Sequence, residues 1–216
     1  MHAVLGLLLI AACGGGGSMP PPTDGGAMSD SGRDPRFALR IRWSALPALP
    51  GPVTSSVEVT HVAFRVVRLQ VIGDASGGEA TTARQLELAW RGSAGDPPPT
   101  VFPQAPTGLY SQVAFDLDAQ QGVSYEISGV ARVGGALEPF HIVDTQELAI
   151  SVDGFGVTLE PGNTAEIPVV LDLSRPLARV NFTQLPVIEG VRALDESGPQ
   201  LEQLREDLVG AFVPGA

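Results

Sequence analysis

The sequence predicts an all-β fold: an antiparallel β-sandwich, or a partly open barrel, of about eight strands with one C-terminal helix. Three observations lead there. Between Phe37 and Leu173, apolar residues recur at every second position in one run after another, the period of a half-buried strand. Gly, Pro and Asp clusters separate these runs at short intervals, supplying turn chemistry. Helical spacing appears near the C terminus and does not alternate with the strands, which argues against βαβ units.

In Ala38–Trp43, Leu39, Ile41 and Trp43 share one face while Arg40 and Arg42 share the other. Proline ends this strand at 46–52. Residues 57–72 form a long β-branched run whose inward parity shifts twice. Val57 and Val59 are in phase, Val62, Phe64 and Val66 are out of phase with them, and Leu69 and Val71 return; each shift predicts a bulge or a bend. Gly73–Gly78 is a turn, and it only faintly echoes the nucleophile loop of chymotrypsin-like proteases because Ala75 interrupts the motif. Residues 84–91 place Leu86, Leu88 and Trp90 on one face. The Pro-rich stretch 92–107 exceeds the usual loop length, which suggests a functional or unstructured segment.

Residues 108–118 alternate with Leu109, Val113, Phe115 and Leu117 on one side, and Tyr110, Gln112, Asp116 and Asp118 on the other. Residues 123–133 form the next strand, Gly134-Gly135 turns the chain, and a short strand follows near 140–143. Leu148, Ile150 and Val152 alternate, and Phe155, Val157 and Leu159 alternate in the opposite phase; Asp153-Gly154 between them predicts a two-residue hairpin turn. In the strand 165–173, Pro168 predicts an edge or a bulge. Residues 177–196 lack a clear period, with one further strand read at 178–182. Leu201, Leu204, Leu208 and Phe212 then follow helical spacing, with Ser197 as a candidate cap and Pro199 suited to the first turn.

The chain of 216 residues carries a net charge of −11. That acidity argues against nucleic acid and anionic lipid as partners. All 13 basic residues are Arg, which removes Schiff-base and Ser-Lys chemistry and the P-loop lysine. No Gly-x-Ser-x-Gly elbow, His-Glu-x-x-His helix, dinucleotide fingerprint or EF-hand loop is present. No cofactor and no catalytic residue is predicted. His61 and His141, with Asp144 three positions on, are the candidate metal ligands. Asp116 and Asp118, with Tyr110 beside them, and Phe102 between prolines are the candidate surface contacts. Trp43 and Trp90 are the residue types of a sugar-stacking platform, but strand parity assigns both to the core.

The N-terminal stretch bears on location. Residues 3–12 are apolar or small and end in Ile10-Ala11-Ala12-Cys13, with the single cysteine of the chain at the end. The run is too short to span a bilayer but fits the hydrophobic core of a signal peptide. This resembles the lipobox of bacterial lipoproteins. The resemblance implies cleavage before Cys13, a lipid on its sulfur and a membrane anchor, with 1–12 removed. One feature departs from the pattern: only His2, and no Lys or Arg, precedes the apolar run. Either the start lies upstream, or His2 and the α-amino group supply the charge. Residues 13–36 read as the lipidated Cys and a disordered Gly/Pro/Ser tether, and 37–216 as one domain. Its texture is broadly similar to that of single-sandwich lipoproteins of Gram-negative envelopes. Gly14 after Cys13, where some bacteria place an inner-membrane retention Asp, favours the outer membrane. The expected function is non-catalytic binding or structural support at the cell envelope, with an envelope protein or a glycan as partner. The alternative is a periplasmic metal- or carbohydrate-binding accessory protein.

Overall fold

The computed structural model describes residues 38–74, 78–92, 95–119, 122–196 and 198–216. The signal peptide, Cys13, the tether, the centre of the Gly73–Gly78 turn and the Ser197 cap lie outside the described residues. In chain order, the strands before the first helix are β1 (Leu39–Ala45), β2 (Gly51–Pro52), β3 (Val57–Gly73), β4 (Thr82–Arg91), β5 (Thr100–Phe102), β6 (Gly108–Leu117), β7 (Tyr125–Val133), β8 (Ala136–Asp144), β9 (Leu148–Leu159) and β10 (Ala165–Leu171). Helix α1 (Ser174–Arg179) follows, then the short hairpin β11 (Val187–Ile188) and β12 (Val191–Leu194), helix α2 (Gln200–Val209) and β13 (Phe212–Pro214).

These elements form a four-stranded sheet, β13-β10-β1-β5, and a nine-stranded sheet along β11-β12-β8-β7-β3-β6-β9, with β2 and β4 also paired to β3. The fold is all-β with two sheets, and it does not close into a barrel. Most pairings are antiparallel, but β1 runs parallel to β10 and β12 parallel to β8. Pro168 lies in β10 just beyond the residues that pair with β13. Its carbonyl takes the Gly215 N–H past the end of β13, and the N–H that it lacks would point to that same edge, so no ladder bond within the β10–β13 pairing is lost.

Both parity shifts in β3 are bulges. Thr60 is the extra residue between Val59 and His61 against β7, and a second register shift separates Val67 from Gln70 against β6. Arg68, in that second bulge, adopts φ +50. Asp153-Gly154 is not a hairpin turn. The strand β9 runs through it, and Gly154 at φ +95 absorbs a bulge opposite Tyr110 and Gln112. A bulge reverses side-chain phase as a hairpin does, so sequence parity alone does not separate the two. The segment 178–182 is not a strand. Helix α1 occupies its start, and a 3-10 turn begins at Phe182.

The core is aromatic at its centre. Phe212 of the small sheet meets Phe64 and Phe115 of the large one edge-on, with ring centroids 5.3 and 5.1 Å apart. Trp43 meets Phe115, and Trp90 meets Phe64, also in T-shaped geometry. Each indole N–H is satisfied by the Pro-rich loop: Trp43 Nε1 donates to Thr100 Oγ1 and Trp90 Nε1 to Asp96 Oδ1, both at 3.0 Å. That loop is therefore a structural brace. Helix α2 buries Leu201, Leu204 and Leu208. No helix among the described residues is long and apolar enough to cross a membrane.

Candidate functional site

The sequence-derived candidates separate into three groups. Phe102 and Tyr110 are corrected to the core, at 3% and 0% exposure. Phe102 is buried because β5 pairs with β1, opposite Leu39. Tyr110 points inward because an extra residue of β6, Ser111, shifts register against β3. Leu109 is left exposed instead. The Tyr110 hydroxyl donates to the Pro106 carbonyl at 2.6 Å, the device of a tyrosine corner, which ties a strand to the chain entering it. Burial, with the nearby Asp74 charge, raises the pKa of this phenol.

The set His61, His141 and Asp144 is not assembled. His141 and Asp144 lie three apart on β8, so their side chains leave opposite faces of the sheet. Asp144 points inward, where Arg205 holds it. His61 and His141 do meet on the outer face, on either side of Glu126 of β7. His61 Nε2 lies 2.6 Å from Glu126 Oε1, and His141 Nε2 lies 3.8 Å from Oε2. Ser128 is in register between the two histidines. Among the described residues no three His, Cys, Asp or Glu side chains are grouped so as to hold a metal ion. Glu126 carried no signal in the sequence, since its role depends on β7 lying between β3 and β8.

Asp116 and Asp118 lead to the outer face of β3 and β4. On one edge of β3, β7 pairs as far as Phe64 and β6 begins at Val66, so the two strands part at Arg65. The Arg65 N–H goes to the Ser124 carbonyl at 2.8 Å, and its own carbonyl takes the Asp118 N–H at 3.1 Å. The fork leaves a hollow of about 310 Å³, lined by Arg65, Val67, Gln85, Leu86, Glu87 and Asp118 among others. A second hollow, of about 690 Å³, shares Val67, Gln85 and Asp118 with it and extends past Arg68, Arg84 and Glu147. Together they make an open polar trough.

Within the trough the charges are unequally satisfied. Arg68 bridges Asp116 at 2.7 Å and Glu147 at 2.6 Å, and Glu87 pairs with Arg91 at 3.2 Å. The half-buried side chains of Arg65 and Asp118 make no hydrogen bond or ion pair among the described residues. Asp118 lies just past the end of β6, where its N–H to the Arg65 carbonyl continues the ladder, so it keeps the outer face that alternation gives it with Asp116. Trp43 and Trp90 offer no platform here, because both are core residues.

No family model, no curated protein and no solved structure matches the chain.

Proposed function

We propose that this chain is a lipid-anchored cell-envelope protein whose two-sheet domain binds an envelope component without catalysing its conversion. The anchor is carried by one observation: the single cysteine stands at the end of an apolar run, in Ile10-Ala11-Ala12-Cys13. Two acyl chains hold a protein on a bilayer stably, at about 0.8 kcal/mol per buried CH₂. Gly14 favours the outer membrane.

Binding is supported by the trough at the β3 fork. It is a shallow surface of polar side chains on strands, and two of its charges have no partner among the described residues. A fixed array of this kind suits recognition of an extended ligand. Expression in a Gram-negative host with an alkyne fatty acid tests the anchor. The wild-type chain is expected to take up the label and to lose residues 1–12, and Cys13→Ser to do neither. Equal labelling of the two chains would overturn the reading.

A further inference from the structure

We infer that the trough at the β3 fork binds a neutral, hydroxyl-rich ligand, a glycan. This deepens the reading of the domain as a binding module and does not rest on a lipid at Cys13.

The first argument is the pair Arg65 and Asp118. Both line the smaller hollow, both are half-buried, and neither has a side-chain partner among the described residues. They carry opposite charge but stand beyond ion-pair distance of each other. A partly buried charge without a partner has lost hydration and received nothing in exchange. A ligand that completes both must accept from a guanidinium and donate to a carboxylate. Hydroxyl groups do both at once, and a vicinal diol presents two of them at the spacing of a planar carboxylate or guanidinium.

The second argument is charge balance. Arg65, Arg68 and Arg84 line the trough together with Glu87, Asp118 and Glu147. An anion entering it meets three carboxylates, and a cation meets three guanidinium groups. A neutral polar ligand meets neither penalty. Gln85, shared by both hollows, adds an amide that donates and accepts. Val67, on the same face as Gln85 and Glu87, provides a small apolar spot for ring C–H groups.

The third argument is rigidity and reach. The lining side chains stand mostly on β3 and β4, which pair in regular register from His61 to Gln70. Arg68 is held from two sides by Asp116 and Glu147. Binding then orders few side chains, which preserves affinity. The two hollows share Val67, Gln85 and Asp118 in their linings, so they present one run of side chains to an extended ligand.

The test is a titration of the full chain carrying Cys13→Ser, labelled with ¹⁵N, using maltotriose, cellotriose and chitotriose. Each is taken to about 20 mM, which detects dissociation constants in the millimolar range. At least one is expected to shift the amides of residues 65–67 and 85–87 in a saturable way. Arg65→Gln and Asp118→Asn are each expected to weaken that binding by about tenfold, the loss of one charge-assisted hydrogen bond. Both sites are on the outer face, and an unchanged spectrum elsewhere confirms that each variant is folded. The proposal is overturned if none of the three sugars gives a saturable shift, or if both folded variants bind as tightly as the parent. It is also overturned if inorganic phosphate shifts the same amides at lower concentration. A trough that fails this test leaves the fatty-acid labelling at Cys13 untouched, and a chain without lipid can still bind sugar.

Discussion

Arg205 and Asp144 meet inside the domain as a two-pronged ion pair: Nε donates to Oδ2 and Nη2 to Oδ1, each at 2.7 Å. The pair joins α2 to the last residue of β8. The N–H groups of Thr145 and Gln146 also donate to the Asp144 carboxylate. Burial pushes the carboxyl pKa up, but the Arg205 hydrogen bonds, the Gln146 N–H and the Arg205 charge outweigh it, and the net shift is downward. The Tyr125 hydroxyl lies buried beside the pair without a well-aligned hydrogen bond.

A carboxylate with a lowered folded-state pKa contributes stability above its unfolded value, about 3.9. That contribution is lost as pH falls through the lower folded value. Urea unfolding of the wild type is therefore expected to show a stability loss below about pH 4, part of which is absent in Asp144→Asn. At pH 7 the same variant leaves Arg205 largely buried without its charge partner and should cost about 3–5 kcal/mol. A variant within about 0.5 kcal/mol of wild type at pH 7 would show that the pair is not a structural anchor.

Helix α2 is docked along its apolar stripe. Leu204 is buried, while the Gln203 side chain is exposed and reaches Glu206. Leu204→Ala is expected to cost about 2–5 kcal/mol, and Gln203→Ala less than about 0.5 kcal/mol. Equal denaturation midpoints would mean that the helix does not pack on the domain. Two polar residues of α2 also turn inward: Arg205 to Asp144, and Asp207 to Arg179 at 2.8 Å.

Arg68 sits at φ +50 in the β3 bulge, a conformation that costs an L-residue about 1–2 kcal/mol and glycine almost nothing. Its two ion pairs are exposed and contribute little. Arg68→Gly should thus leave thermal stability within about 1 kcal/mol of wild type. Arg68→Val, with a branched Cβ in the same backbone, should be the less stable of the two by more than about 1 kcal/mol. Identical melting of the two variants would mean that the bulge relaxes to negative φ without cost.

Local periodicity was enough to place most strands. Alternation at Leu39, Ile41 and Trp43 assigns one face of β1 to the core, because successive side chains must leave opposite sides of a strand. The parity shifts in residues 57–72 located both bulges for the same reason. Parity misled where both neighbours are apolar. Leu109 and Tyr110 are equally fit for burial, and the extra residue at Ser111 chose Tyr110. The spacing of His141 and Asp144 is odd, so their divergence on β8 follows from strand geometry once β8 is known to reach Asp144.

The sequence by itself determined the all-β class, the core faces of its strands and the amphipathic helix at its end, because each follows from backbone geometry over a few residues. Tertiary structure alone decided which strands became neighbours. Phe102 is buried by β1, some sixty positions away, and β1 lies parallel to β10, more than a hundred positions on. The candidate site divides the same way. Asp118 was legible as a polar residue at the end of an alternating run. Arg65 and the hollow beside it exist only because β6 and β7 part along one edge of β3. Strand partners are selected by how the whole chain buries its apolar surface, and no local period encodes that choice.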